Sequence, residues 1–270
     1  MPCCSDGLSA RLVEQSGFEL TFMTGYGVAA HRGFPDTGLV SYKEMLDSAQ
    51  TVCSALKSIP CIGDGDTGYG NEMNVKRTVL GYAQAGMAGI MIEDQVSPKR
   101  CGHTKGKSVV GRAEAVGRIQ AACDARDEGA DILIMARTDA RGVMGMEEAM
   151  ERCHEFKEAG ADIIFLEAPE SIEEMQRFCK EIPGPKLANM LEGGKTPILP
   201  PLELEKMGYS IAAYPLSLLS ASIKAMQETL GRLGRGESVD DLIVDFQECR
   251  KVVGFTEYYA EEDRYRSDHF

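Results

Sequence analysis

Cys61-Ile62-Gly63-Asp64-Gly65-Asp66 is a short apolar run that stops on carboxylates, and three further runs stop the same way. They are Ile90-Met91-Ile92-Glu93-Asp94, Ile132-Leu133-Ile134-Met135-Ala136-Arg137-Thr138-Asp139 and Ile163-Ile164-Phe165-Leu166-Glu167. A strand buried on both faces reads as a continuous aliphatic run, so a repeated charged terminus predicts parallel strands delivering ionisable groups to one edge. Outward from these runs, strand and helix patterns alternate. Helices are expected over 8–15, 41–57, 73–85, 113–128, 146–159, 172–181 and 201–207, and strands over 20–23, 61–65, 89–93, 132–137, 163–167, 186–190 and 211–214.

A weak repeat supports the alternation. Gly86-Met87-Ala88-Gly89, Gly129-Ala130-Asp131-Ile132 and Gly160-Ala161-Asp162-Ile163 each close a helix with a left-handed glycine and start a strand. Counting Pro2 to Cys4 as the remnant of a first strand gives eight βα units. The fold class is α/β, a (β/α)8 TIM barrel, with extra helices over 216–233 and 239–252. A doubly wound open sheet is the alternative, but no GxGxxG opens a helix after the first strand. One domain over residues 1–270 is expected, with the C-terminal helices at about 216–260.

Composition narrows the partners. The chain has 270 residues, 43% of them hydrophobic, enough for a substantial core, and a net charge of −13 that argues against nucleic acid or an anionic membrane surface. No run of about 20 apolar residues and no signal-peptide pattern is present, so the reading is intracellular. Nine cysteines without CxxC spacing read as reduced thiols, and Cys53, Cys61, Cys123, Cys153, Cys179 and Cys249 as small buried apolar residues.

In a barrel the C-terminal strand ends share one face, which should gather Asp64, Asp66, Glu93, Arg137, Glu167 and Asn189. Like charges about 4 Å apart repel by about 1 kcal/mol even in bulk water, so protons or a cation must neutralise them. Oxygen-only donors suit a hard divalent ion such as Mg2+. The plain alternative is that each charge merely ends a strand in solvent. The loop Lys99-Arg100-Cys101-Gly102-His103-Thr104-Lys105-Gly106-Lys107 is basic around a thiol, and its cations should favour the Cys101 thiolate. It reads either as a lid carrying an acid/base or as a solvated basic loop with an incidental thiol.

The run 63–70 (Gly-Asp-Gly-Asp-Thr-Gly-Tyr-Gly), 92–95 (Ile-Glu-Asp-Gln), the loop from Lys99 to His103, 136–139 (Ala-Arg-Thr-Asp) and 188–194 (Ala-Asn-Met-Leu-Glu-Gly-Gly) together resemble the isocitrate lyase and phosphoenolpyruvate mutase superfamily, from about Gly7 to Leu233. That resemblance implies Mg2+, with Mn2+ as a substitute, held directly by Asp64 and through waters by Asp36, Asp66 and Glu93. Lysine or arginine followed by Cys-Gly-His is similar to the carbon–carbon lyases of the superfamily. The implied catalytic set is Cys101, His103, Arg137 and Glu167, with Cys101 protonating the carboxylate half, and the implied substrate-binding set is Thr24, Gly25, Tyr26, Gly102 and Asn189. Backbone amides around Thr24 to Gly27 would hold the 2-oxo acid carboxylate.

Two features narrow the substrate. Phe22-Met23-Thr24-Gly25 stands where such lyases resemble Tyr-Leu-Ser-Gly, so a tyrosine hydroxyl is absent, and His31 and Arg32 are expected to place polarity near Asp36. The short loop to Lys107 also looks like that of oxaloacetate hydrolases. The reading is therefore a Mg2+-dependent lyase of a 2-hydroxy or 2-oxo di- or tricarboxylate, methylisocitrate lyase-like. Its alternatives are an oxaloacetate hydrolase giving oxalate and acetate, a carboxyvinyl-carboxyphosphonate phosphorylmutase-like enzyme, or a catalytically silent binding protein. The resemblance further implies a homotetramer in which the eighth helix, over 216–233, is swapped onto a neighbour's barrel. The location would be cytoplasmic, or organellar if a targeting segment is missing from the N-terminus.

Overall fold

The computed structural model describes residues 1–104 and 106–266; Lys105, read above as part of the basic loop, lies outside the described residues. Eight strands run in chain order: β1 (Cys3–Cys4), β2 (Thr21–Met23), β3 (Cys61–Asp64), β4 (Gly89–Glu93), β5 (Leu133–Thr138), β6 (Ile163–Leu166), β7 (Lys186–Asn189) and β8 (Ile211–Ala213). Each pairs in parallel with the next. The remaining seam is closed by Cys3 N–H donating to the Tyr214 carbonyl at 3.1 Å and Tyr214 N–H to the Met1 carbonyl at 2.9 Å. The sheet is thus a (β/α)8 barrel, and Gly86, Gly129 and Gly160, each directly after a helix C-cap, have φ of +93°, +120° and +101°, the positive φ the repeat predicted.

Strand periodicity of two sorts the apolar residues into two layers. Cys3, Phe22, Ile62, Met91, Met135, Ile163, Phe165, Leu187 and Ala213 fill the barrel bore. Their neighbours, among them Cys61, Ile90, Ile92, Ile134, Ala136 and Ile164, face the helices, where they meet Val79, Tyr82, Ile119, Phe156 and Phe178. The same parity decides the polar ends. Thr24, Asp64, Glu93, Arg137, Glu167 and Asn189 each lie two residues beyond a bore-lining side chain and share its direction, so alternation alone aims all six at the mouth.

By contact density the chain divides into Met1–Ser217 and Leu218–Phe270. Within the second unit, helix Ser217–Gly234 is followed by helices Phe246–Val253 and Phe255–Asp263, and none of its described residues is buried. The helix expected over 239–252 begins only at Phe246. Asp245 caps it by accepting the Glu248 N–H at 2.8 Å, and a turn in which Leu242 N–H donates to the Val239 carbonyl occupies the preceding residues. Two short helices, Gly25–His31 and Arg141–Met144, escape the sequence reading because neither is long enough to show a period. All nine cysteines are free, but Cys249 is exposed rather than buried, since its helix covers no core.

Candidate active site

Two carboxylates at the end of β3 are held by their own backbone surroundings. Asp64 accepts the Gly25 N–H at 3.0 Å and the Asp66 N–H at 3.0 Å, while its carbonyl accepts the Tyr82 hydroxyl at 2.7 Å. Asp66 accepts the Tyr69 hydroxyl at 2.9 Å and sits at φ +48°, a left-handed conformation that a non-glycine residue holds only under tertiary constraint. Lys99 enters this acidic group from the loop. Its ammonium pairs with Asp36 at 2.5 Å and Asp66 at 2.8 Å, and only 7% of its side chain is exposed. Burial opposes charging Lys99, yet Asp66, Asp64, Asp36 and Glu93 override it and raise its pKa well above the ordinary value.

Arg137, from β5, forms the second centre. Its guanidinium reaches Asp139 through Nε at 2.9 Å, Glu93 through Nε at 3.3 Å and Glu167 through Nη2 at 3.1 Å. Burial would push the Glu167 carboxyl up, but Arg137 and the hydrogen bond from His103 hold it well below the usual carboxylate range. His103 Nε2 lies 2.8 Å from Glu167, and its Nδ1 accepts the Lys195 N–H at 3.1 Å. Because Nδ1 accepts, Nε2 carries the ring hydrogen and donates to Glu167. Asn189 Nδ2 donates to the same carboxylate at 3.3 Å and 3.4 Å.

The loop lies directly on this clamp. A Cβ at Gly102 would stand 2.4 Å from Arg137 Nη2 and 2.8 Å from Glu167 Oε2, so only glycine permits the approach. Together the elements enclose a cavity of ≈ 440 Å³ counted to its open mouth, lined by Thr24, Tyr26, Asp36, Asp64, Lys99 to His103, Arg137, Glu167, Asn189, Leu191, Pro215 and Leu216. Gly25, Asp66 and Glu93 stand behind the lining.

Several expectations need correcting. Cys101 is not driven toward thiolate: burial pushes its thiol up, with the His103 backbone and Arg137 opposing only weakly. The cations expected to favour the thiolate are committed elsewhere, Lys99 to Asp36 and Asp66 and Lys107 to Asp139. Of the amides around Thr24 to Gly27 expected to hold a substrate carboxylate, those of Thr24 and Gly25 donate instead to the Cys4 carbonyl at 3.0 Å and to Asp64. His31 and Arg32 do not serve Asp36. His31 pairs with Asp6 at 3.2 Å and Arg32 donates to the Glu44 carbonyl at 2.8 Å, because helix Gly25–His31 turns both outward.

Asp94 and Asp139 end the same apolar runs as Glu93 and Arg137, and parity separates them. Asp94 faces away from the bore and accepts Thr138 Oγ1 at 2.6 Å, Asp139 N–H at 2.8 Å and Arg152 Nη1 at 3.0 Å. Asp139 shares the direction of Arg137 and clamps it. Leu191, Pro215 and Leu216 carried no sequence signal, since apolar residues in loops have no period.

A divalent cation fits the donor set. Asp36, Asp64, Asp66 and Glu93 offer only carboxylate oxygen, Glu93 Oε1 is buried without a hydrogen-bond partner, and burial together with Asp66 raises the Asp64 carboxyl to about 6. Burial likewise lifts Glu93 well above the carboxylate range even beside Arg137. Such groups gain from added positive charge. Among the described residues no three acidic, thiol or imidazole groups converge tightly enough to ligate an ion alone.

The chain matches the phosphoenolpyruvate phosphomutase family over residues 1–233. It is 45% identical over 268 residues to 2,3-dimethylmalate lyase of Eubacterium barkeri, covering 98% of this chain and 92% of that one. Among solved structures, an oxaloacetate acetylhydrolase bound to 3,3-difluorooxalacetate superposes with a TM-score of 0.93 at 36% identity, covering 97% and 90% of the two chains. A phosphonopyruvate hydrolase complexed with oxalate and Mg2+ superposes at 0.83 with 28% identity, covering 98% and 93%.

Proposed function

The chain belongs to the phosphoenolpyruvate phosphomutase family, and on that premise we propose that it cleaves a carbon–carbon bond in a substituted malate such as 2,3-dimethylmalate. It is an enzyme, a lyase of the isocitrate lyase and phosphoenolpyruvate mutase superfamily. The observation that carries the proposal is the seating of the Cys101–Gly102 peptide on the Arg137–Glu167 clamp, beside the Asp64 carboxylates. A flap bearing a proton donor, closed on a cationic clamp, suits a reaction that ends by protonating a carbanion.

In the proposed reaction a general base takes the C2 hydroxyl proton and the C2–C3 bond breaks, releasing a 2-oxo acid. The electron pair passes into the enediolate of the other carboxylate half, where carbon takes a proton from the Cys101 thiol. Burial keeps that thiol protonated, as a donor requires. Arg137 orients the carboxylate half and offsets its charge, while His103 and Asn189 fix the far side through Glu167. Mg2+, held by Asp64 and through water by Asp36, Asp66 and Glu93, would supply Lewis-acid stabilisation of the developing negative charge.

The test is a panel of 2,3-dimethylmalate, 2-methylisocitrate, isocitrate, oxaloacetate and phosphonopyruvate with Mg2+ and product identification. Pyruvate and propionate from 2,3-dimethylmalate are expected, with one solvent deuteron on propionate in D2O. A second reading, hydrolysis of oxaloacetate to oxalate and acetate, is favoured by the likeness to the acetylhydrolase structure and would announce itself as oxalate. If Cys101→Ser and Asp64→Ala changed none of these turnovers, both readings would fail. A homotetramer belongs to the same proposal, supported by exposed Leu218, Ile223, Met226 and Leu230 on helix Ser217–Gly234. Sedimentation velocity checks it.

A further inference from the structure

Lys107 is the last residue of the cysteine-bearing loop, and the chemistry above gives it no part. Its side chain is 4% exposed, with Nζ 2.7 Å from Asp139 Oδ1 and 2.5 Å from the Gly102 carbonyl. Both acceptors matter to the site. Asp139 holds Arg137 through two bonds, Nε to Oδ2 at 2.9 Å and Nη2 to Oδ1 at 3.1 Å, and its own backbone is fixed by the N–H it donates to Asp94 at 2.8 Å. Gly102 joins Cys101 to His103 and presses on the same guanidinium. Gly142 lies alongside, where an added Cβ would stand in ordinary contact with the ammonium at 3.4 Å.

We propose that Lys107 is a positioning residue: its ammonium cross-links the Gly102 peptide to Asp139, so that the proton donor Cys101 and the clamp Arg137 are held to one common anchor. The charge on Asp139 fixes where the ammonium sits, and a second N–H of the ammonium fixes the flap. A lysine suits this task because its compact head donates in several directions at once, whereas the planar fork of arginine matches one carboxylate face-on. A buried ammonium with both acceptors in place also has no competing partner in solvent, so the link is strong and directional. The catalytic consequence rests on the lyase reading; the cross-link itself does not.

Lys107→Met and Lys107→Arg test it by two readouts. The first is the rate at which iodoacetamide labels Cys101, followed by peptide mass spectrometry with exposed Cys249 as the internal reference. The second is the split between kcat and KM on the best substrate of the panel. Lys107→Met is expected to label Cys101 at least tenfold faster relative to Cys249 and to lose at least tenfold in kcat with a smaller change in KM. Lys107→Arg keeps the charge beside Asp139 but misplaces the second bond, and is expected to fall between. Unchanged labelling and kcat in a folded Lys107→Met protein overturn the proposal. Should that variant not fold, Lys107→Arg with wild-type labelling and kcat overturns it equally. If no diacid is turned over by the wild type, the lyase reading fails while the labelling ratio still decides the cross-link.

Discussion

Replacing Arg152 by methionine should destabilise the barrel far more than any surface substitution, because it strips the cation from a buried carboxylate. Asp94 and Arg152 side chains are 1% and 2% exposed, and Arg152 also donates to the Val110 carbonyl at 2.9 Å and to Glu148 at 2.9 Å. Burial already raises the Asp94 carboxyl, with Asp139 adding to the effect, and Arg152 is the cation that opposes both. Breaking a buried pair from one side costs about 3–5 kcal/mol, a large share of a total stability of about 5–15 kcal/mol. At about 2–4 °C per kcal/mol for a domain of this size, Tm should fall by roughly 6–20 °C. Differential scanning calorimetry at pH 7 measures it. The Asp94→Asn/Arg152→Met double variant should be more stable than Arg152→Met alone, since it leaves no uncompensated charge, with a coupling of about 0.5–3 kcal/mol. A single variant within about 1 kcal/mol of wild type, or a double variant no better than the single, would refute the reasoning.

Cys101→Ser should lose about 10²–10⁴-fold in kcat while Tm stays within a degree or two, as measured by steady-state kinetics beside thermal melts. Because burial raises the Cys101 thiol, its alkylation rate should still climb above pH 9; a plateau near pH 7 would contradict the buried, proton-donating role. Saturating Mg2+ should raise Tm in the wild type, by an amount matching about 2.7 kcal/mol at a hundred times Kd, and leave Asp64→Ala unmoved. The Glu167 carboxyl titrates below its ordinary 4.5 in the folded state, so its stabilising share is complete above pH 4.5 and is lost as pH falls below it. Glu167→Gln should therefore flatten the acid limb of stability between about pH 4.5 and 3, which urea titrations across that range would register.

Much of the site could be read before any coordinates, for a simple reason. Apolar runs ending in Asp64, Glu93, Arg137 and Glu167 carry their own direction, because each charge keeps the parity of the bore-lining residue two places earlier. The same rule turns Asp94, one place out of phase, away from the mouth. Cys101 illustrates the opposite case. A basic neighbourhood in sequence suggested a thiolate, yet Lys99 and Lys107 spend their charges on carboxylates contributed by residues 32 to 63 positions away, and burial then sets the thiol.

By itself, then, the chain determined the barrel and the identity of the groups at its mouth, since periodicity and strand length are local properties that survive without tertiary knowledge. Which cation serves which carboxylate was decided only in three dimensions. Asp36, Asp66 and Lys99 come from separate loops, as Asp139 does from the loop of Gly102 and Lys107, and charge pairing falls off over distances that sequence separation does not report. Protonation states follow from those pairings and from burial, so they too belong to the folded molecule.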